Sequence, residues 1–234
     1  MAGLVEDIAA AISGRAALPP LDQSLDLAAG YDLRAQVYEQ LSGQSPGGIK
    51  AGVTSAGLQK AFGIDHALLG RLYPDGRLAS GGRFESLLGK VIECEIGLII
   101  HGGQITGVCP ALEFARLGFA RPADASAAYL TAGNVAADQY MTADVHPWDA
   151  TLEQETLRLY RDGHLVNEAP VSESLGGCAA AAAWMLAEAD RRDIEVPESC
   201  LFMTGACGEV LPAEPGDYEA DYGRLGRLTF RVTA

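Results

Sequence analysis

The sequence predicts an α+β fold in which a small helical N-terminal region, residues 1–46, precedes a β-dominated domain, residues 47–234. The first forty-odd residues carry apolar side chains at helical spacing. After residue 47, strand-like runs alternate with turn residues, and the 28 glycines and 11 prolines of the chain indicate many turns. A length of 234 residues fits one large domain, or one domain with a short helical prelude.

Two helices are predicted in the N-terminal region. The first, LVEDIAAAISG, is expected to end at Gly14. Pro19 and Pro20 then exclude a helix, because proline lacks the amide hydrogen that a helix interior needs. The second, LDLAAGYDLRAQVYEQLSG, is amphipathic, and Asp26 or Ser24 is placed to cap its start.

The β-dominated domain contains one outstanding strand pair, GKVIECEIGLIIHGGQITGVCPALEF, with a hairpin turn expected at Gly102–Gly103. A helix-sized segment is expected near residues 123–137, and a second hairpin at Asp162–Gly163. The alanine-rich run GGCAAAAAWMLAEADRRD predicts a helix. Strand candidates follow in CLFMTGA, DYEADYG and GRLTFRV.

Composition excludes several classes of protein. A net charge of -14 argues against a nucleic-acid binder, because phosphate binding requires clustered lysine and arginine. The sequence has neither an unbroken apolar run of about 18 residues, as a membrane span requires, nor a signal peptide, so we expect a cytoplasmic protein. Five cysteines without CxxC spacing predict reduced, buried thiols rather than a zinc site.

Three carboxylates lie within apolar runs. Glu93 and Glu95 are two residues apart, so on a strand they project from the same face. Glu113 follows the predicted hairpin, which brings it back near Glu95. Adjacent buried anions repel each other unless a cation lies between them, and hard divalent cations prefer oxygen ligands. The pattern is also compatible with a solvated edge strand and a surface glutamate.

Several motifs, taken in order, resemble one family of enzymes. GIKAGVTS, AFGIDHALLGRL, IECEIGLII, CPALE, LGGC before the alanine-rich helix, MTGA and PGD occur in that order. This order resembles the 2-oxopent-4-enoate hydratase and 4-oxalocrotonate decarboxylase group of the fumarylacetoacetate hydrolase superfamily. The resemblance implies a fumarylacetoacetase-like mixed β-sandwich or roll.

The resemblance also implies a site for Mg²⁺ or Mn²⁺. Its three carboxylate ligands here are Glu93, Glu95 and Glu113. Lys50 matches the family's active-site lysine, although a lysine in this position can also lie at the surface. Ser55, beside Thr54, is placed to donate a hydrogen bond to a substrate carboxylate, and Asn134 matches an asparagine of the family. Lys50, Ser55 and Asn134 are therefore the predicted catalytic residues.

The function that follows is a metal-dependent lyase, a hydratase or decarboxylase, acting on a small 2-oxo acid through a metal-stabilised enolate. Homo-oligomers are implied by resemblance alone. The sequence departs from the family pattern in three places. Leu68 stands where the family often has an acidic residue, and Gly177 and Cys178 replace a histidine–proline pair. The segment HGGQITGVC, between the glutamates of the ExE motif (Glu93, Glu95) and that of the PALE motif (Glu113), is short. His66 is an isolated loop histidine that is placed near the position of Leu68.

Two alternatives therefore stay open. The first is a catalytically reduced scaffold or the partner subunit of an active paralogue, which the departures favour and the three glutamates and Lys50 oppose. The second is a C–C hydrolase or tautomerase of the same superfamily. Hydrolysis is disfavoured because the sequence offers no convincing histidine–glutamate pair to activate water.

Overall fold

The computed structural model describes residues 2–43 and 45–234; residues 1 and 44, which belong to the predicted helical region, lie outside the described residues. The described chain forms helices and two β-sheets, as an α+β fold requires. Its α-helices are α1 (Ala2–Ser13), α2 (Leu27–Ser42), α3 (Ala56–Phe62), α4 (Ala127–Ala132) and α5 (Cys178–Arg191).

The larger sheet has the strand order β2-β1-β10-β5-β6-β7-β3, and β11 also pairs with β5. Its strands are β1 (Gly48–Gly52), β2 (Leu68–Leu72), β3 (Arg77–Leu78), β5 (Val91–His101), β6 (Gln104–Phe114), β7 (Gln139–Thr142), β10 (Ser199–Met203) and β11 (Leu211–Pro212). The smaller sheet has the order β4-β13-β12-β8-β9. Its strands are β4 (Gly82–Glu85), β8 (Thr156–Arg161), β9 (His164–Pro170), β12 (Gly216–Asp221) and β13 (Arg227–Thr233).

Both predicted hairpins are confirmed. β5 and β6 are joined by Gly102 and Gly103, with φ angles of 55° and 77°. β8 and β9 are joined by Asp162 and Gly163, with φ angles of 50° and 79°. Two-residue turns of this kind need positive φ at both positions, because only then does their twist match that of the strands.

The two sheets share one apolar core. Phe114 of β6 lies against Phe230 of β13 with ring centroids 4.9 Å apart, and Phe84 of β4 lies 4.6 Å from Phe114. Ile92, Cys94 and Ile96 alternate along β5 and are buried in the same core. Their inward orientation leaves the intervening glutamates on the opposite face of the strand.

The N-terminal helices cover the region of α4. Ile8 of α1, Leu33 and Val37 of α2, and Tyr129 of α4 form a separate buried apolar cluster. Asp26 caps α2, since its Oδ1 accepts a hydrogen bond of 2.8 Å from the amide of Ala29. Within the described residues, no helix is both long and apolar enough to cross a lipid bilayer.

The helix-sized segment predicted at 123–137 is divided. An α-helix occupies only Ala127–Ala132, between 3₁₀ turns at Pro122–Asp124 and Asn134–Ala136. Residues 134, 135 and 136 have φ angles of 57°, 53° and 59°. These left-handed angles are incompatible with a continuing right-handed helix, and they place the Val135 carbonyl beside the candidate site.

Candidate metal centre

The β5–β6 hairpin brings three carboxylates together. Glu93 and Glu113 are direct cross-strand partners, and Glu95 lies two residues further along β5. One carboxylate oxygen from each of the three lies within 4.8 Å of the other two. The structure therefore brings together all three predicted metal ligands, which we call the carboxylate cluster.

The carboxylate cluster carries more negative charge than its surroundings balance. Glu95 and Glu113 are 0% exposed and Glu93 is half-buried. Among the described residues, Oε1 of Glu95 and Oε1 of Glu113 have no hydrogen-bond partner. Buried carboxylates without partners are costly, so the two oxygens are suited to binding a cation.

The pKa values of the cluster respond to this environment. Burial, reinforced by the neighbouring charge of Glu113 and opposed by Lys50, raises the pKa of Glu93 to about 7. Burial and the charges of Glu113 and Glu93 also raise the pKa of Glu95 well above its usual value. A cation bound between the carboxylates would favour their ionised forms and reverse both shifts.

The donor set fits a hard divalent cation. The cluster consists of carboxylates, and none of the histidines or cysteines in the described part of the chain belongs to it. Mg²⁺ and Mn²⁺ prefer such oxygen ligands and retain positions for water or substrate. Glu93, Glu95 and Glu113 are the residues that would hold the ion.

Lys50 lies on β1, between the edge strand β2 and β10 of the larger sheet, and is 2% exposed. Its Nζ lies 2.6 Å from Oε2 of Glu113 and donates a 3.0 Å hydrogen bond to the carbonyl of Val135. Burial would lower the pKa of Lys50, but the charges of Glu113, Glu93 and Glu95 outweigh burial and raise it. This placement excludes the alternative of a surface lysine.

Two glycines close to Lys50, Gly52 and Gly70, are required by the tight packing around its side chain. A Cβ at Gly70, the cross-strand partner of Lys50 on β2, would lie 2.9 Å from the carbonyl oxygen of Asn134 and 3.1 Å from Cγ of Lys50. A Cβ at Gly52 would lie 2.6 Å from a methyl carbon of Val135. Glycine is therefore needed for the close approach of the lysine and the left-handed turn.

Asn134 is fully buried, but its amide contacts the backbone. Oδ1 accepts a 2.8 Å hydrogen bond from the amide of Arg71, and Nδ2 donates one of 2.8 Å to the Arg71 carbonyl. Asn134 thereby attaches the left-handed turn to β2 and positions the Val135 carbonyl that binds Lys50. These contacts suggest that it positions Lys50; its predicted catalytic role stays a prediction.

Ser55 is exposed and caps α3, where its Oγ accepts a 3.3 Å hydrogen bond from the amide of Leu58. Its neighbour Thr54, rather than Ser55, lines the cavity beside the carboxylate cluster. The role predicted for Ser55 stays a prediction, and Thr54 is the hydroxyl group of this motif that borders the cavity.

Gly205, in the MTGA motif, was missed as a site residue. Its amide donates a 2.8 Å hydrogen bond to Oε2 of Glu95. Its φ angle is 93°, and a Cβ there would lie 2.4 Å from Cγ2 of Thr54. In the sequence, only the glycine of MTGA indicates this role, because a hydrogen bond from a backbone amide does not depend on the side chain.

A cavity of about 140 Å³ opens beside the carboxylate cluster. Lys50, Glu93 and Thr54 form its polar end. The remaining lining is apolar apart from Gly52 and comes from β1, α3, β5 and α4 and from the segments after β1, β6, α4 and β10. A larger, open depression of about 880 Å³ lies on the smaller sheet, remote from these residues.

The structure also shows what surrounds the residues at which the sequence departs from the family pattern. Leu68 is buried among apolar side chains that include Val53 and Leu130. Gly177 has a φ of 105°, and a Cβ there would lie about 3.0 Å from the carboxylate of Glu153. His66 contacts Asp65, with 2.9 Å between Nδ1 and Oδ1, and is not among the cavity-lining residues. At position 68 itself, the leucine side chain has no group that could transfer a proton in place of the family's acidic residue.

The sequence matches no protein-family model and no curated protein. Solved structures do match. The 4-oxalocrotonate decarboxylase from Pseudomonas putida G7, complexed with magnesium and adipate, is 20% identical, with a TM-score of 0.88 over 99% of this chain and 96% of that chain. The same enzyme complexed with calcium and acetate gives a TM-score of 0.84 at the same coverage.

More distant structures are also similar. A 5-carboxymethyl-2-hydroxymuconate delta-isomerase from Mycobacterium smegmatis is 12% identical, with a TM-score of 0.54 over 79% of this chain and 77% of that chain. A fumarylacetoacetate hydrolase family protein from Yersinia pestis CO92 is 13% identical, with a TM-score of 0.55 over 79% of this chain and 91% of that chain. The chain therefore has the fold of the fumarylacetoacetate hydrolase superfamily, as the resemblance of its motifs predicts.

Proposed function

We propose that this chain is a divergent member of the hydratase and decarboxylase group, a Mg²⁺- or Mn²⁺-dependent lyase acting on a small 2-oxo acid. The observation that carries the proposal is the carboxylate cluster, which is buried, has two unpartnered oxygens and lies beside a buried lysine. A decarboxylase of the same fold, complexed with magnesium, supports it.

When bound, the metal would supply Lewis-acid stabilisation of the negative charge that develops on a 2-oxo group. Lys50 supplies a second positive charge. The charges of Glu113, Glu93 and Glu95 raise the pKa of Lys50, which favours a role as a fixed cation over a role as a base. Its contacts with Glu113 and Val135 fix that charge in place.

The remaining residues orient the substrate and limit water. The Thr54 hydroxyl borders the cavity at its polar end and is placed to donate to a substrate carboxylate. The Gly205 amide holds Glu95 in its orientation through Oε2 and leaves Oε1 free for the metal. The apolar lining opposite them keeps bulk water from the reacting end.

The test is a thermal unfolding experiment with Mg²⁺ or Mn²⁺, each with and without oxalate, which mimics the chelating end of a 2-oxo acid. Metal at 100 times its Kd stabilises by about 2.7 kcal/mol. For a chain of this size that raises Tm by roughly 5–10 °C. Oxalate is expected to raise Tm further only when the metal is present.

Glu95→Gln is the matched variant and Glu85→Gln, an exposed glutamate on β4, is its control. The proposal requires that Glu95→Gln lose the metal-dependent shift while Glu85→Gln keeps it. Unchanged metal affinity in Glu95→Gln would contradict the assignment of Glu95 as a metal ligand. Release of CO₂, or loss of the absorbance of a conjugated substrate, then distinguishes decarboxylation from hydration.

A second candidate, a catalytically reduced scaffold, is favoured by the buried Leu68 and by Gly177 packed against Glu153. A scaffold would bind the metal and oxalate but turn over no 2-oxo acid. Turnover by the metal-loaded chain would exclude it. The homo-oligomer implied by resemblance stays a prediction, which light scattering tests.

A further inference from the structure

The cavity beside the carboxylate cluster is strongly asymmetric in polarity. Its polar end is confined to Lys50, Glu93 and Thr54. The opposite walls are formed by aliphatic and aromatic side chains, including Val53, Phe62, Leu130 and Val135. A ligand whose chelating head lies at the polar end therefore has its other end against hydrocarbon.

The charged residues that line the cavity determine which chemical group the far end of the ligand can carry. Among the described residues that line the cavity, Lys50 is the one cation. It already contacts Glu113 at 2.6 Å and the carbonyl of Val135 at 3.0 Å. A second carboxylate at the far end of a substrate would lie against hydrocarbon, lose part of its hydration and gain no cationic partner from the lining, which is unfavourable.

The mouth of the cavity continues the apolar surface. Leu58, Leu117 and Val210 line the cavity and are nevertheless 40%, 39% and 38% exposed. They form an apolar rim contributed by α3, by the segment after β6 and by the segment after β10. Large side chains exposed around one opening are typical of a binding site for apolar groups.

We propose that the substrate is a 2-oxo monocarboxylic acid with an apolar tail, and that 2-oxo dicarboxylic acids are disfavoured. The inference rests on the proposed function, which supplies the chelating head. An apolar cavity of about 150 Å³ holds one benzene molecule, so the volume of about 140 Å³ accommodates roughly six heavy atoms, which is the size of pyruvate. An apolar tail longer than one carbon therefore extends along the apolar rim.

The expected affinities follow from burial. Each buried methylene contributes about fourfold to affinity. In the Mg²⁺-loaded protein, Kd is therefore expected to fall by up to about fourfold per carbon from pyruvate through 2-oxobutanoate to 2-oxopentanoate. 2-Oxoglutarate has the five-carbon chain of 2-oxopentanoate with a distal carboxylate, and it is expected to bind about tenfold more weakly because that carboxylate lies on the apolar rim without a cationic partner.

Isothermal titration calorimetry of the full chain with Mg²⁺ measures these constants. Leu117→Arg adds a cation at the apolar rim, and we expect it to reverse the preference towards 2-oxoglutarate. Leu165→Arg changes a leucine on β9 that is also exposed but lies outside the cavity, and it is expected to leave both affinities unchanged. Oxalate, which has no tail, is titrated into each protein to measure the head interaction alone.

The outcomes separate the two proposals. If oxalate does not bind the Mg²⁺-loaded wild type, the proposed function is wrong and the tail inference is overturned with it. If oxalate binds but 2-oxoglutarate binds as tightly as 2-oxopentanoate, the tail inference alone is overturned. A Kd that does not change from pyruvate to 2-oxopentanoate has the same consequence.

Discussion

Replacing Glu93 by glutamine should stabilise the metal-free protein above pH 7 while weakening its response to metal. The glutamine keeps the shape of the side chain and removes one charge from the carboxylate cluster. In the wild type, burial and the charge of Glu113 raise the pKa of Glu93 from 4.5 to about 7. The folded state therefore retains a proton between these pH values that the unfolded chain has already lost.

The sign and size of the effect follow from linkage. Because the folded pKa is raised, the stability contribution of Glu93 is greatest below about pH 4.5 and is lost as pH rises through about 7. At about 1.4 kcal/mol per pKa unit, the rise from 4.5 to about 7 makes this loss at most about 3.5 kcal/mol. Glu93→Gln avoids it, and at pH 8 its Tm without metal is expected to be up to about 7–14 °C above that of the wild type.

Thermal unfolding at pH 5 and pH 8, with EDTA or with saturating Mg²⁺, measures both parts of the prediction. The wild type without metal should lose stability from pH 5 to pH 8, and Mg²⁺ should restore it mainly at pH 8. Glu93→Gln should show a smaller pH dependence and a smaller Mg²⁺ response. Glu85→Gln, with an exposed side chain, serves as the control.

One result would refute the reasoning directly. If Glu93→Gln without metal were less stable than the wild type at pH 8, the charge of Glu93 would be compensated within the protein and no cation would be needed. A wild type that gains stability from Mg²⁺ equally at pH 5 and pH 8 would lead to the same conclusion, because the proton and the metal should compete.

Further outcomes are expected from the residues around the cluster. Lys50→Met should lower turnover at least about 100-fold, because a fixed cation is lost, and should tighten Mg²⁺ binding, because Lys50 lies beside Glu113. Below pH 7, Mg²⁺ affinity in the wild type should fall at least about tenfold per pH unit, since Glu93 must lose its proton and the raised pKa of Glu95 adds to the effect. Asn134→Ala should destabilise the fold by about 2–3 kcal/mol, because two partly buried backbone groups of Arg71 lose their partners.

Calorimetry, kinetics and urea unfolding measure these effects. Lys60→Met is the control for Lys50→Met, because Lys60 is an exposed lysine of α3. Looser Mg²⁺ binding in Lys50→Met would mean that the lysine organises the site rather than opposing the metal. A flat Mg²⁺ affinity from pH 5 to pH 8 would contradict the raised pKa of Glu93, and an unchanged urea midpoint for Asn134→Ala would contradict its positioning role.

Much of the local structure could be predicted from the sequence because it depends on short-range rules. Alternation on a strand is enough to place Glu93 and Glu95 on one face, and Gly102–Gly103 is enough to turn the chain back towards Glu113. Asp26 caps α2 as its position suggested. The order of motifs in the chain was enough to predict the fold.

Only the tertiary structure decided how the parts meet. Lys50 on β1 contacts Glu113 on β6 although β10 and β5 lie between these strands in the sheet, and β10 pairs with β1 from some 150 residues along the chain, so no local pattern encodes the contact. The hydrogen bonds of Asn134 to β2 and of the Gly205 amide to Glu95 likewise depend on long-range packing. The chain alone therefore predicted the three glutamates as ligands, and the packed sheet supplied their burial, their lysine and the apolar cavity beside them.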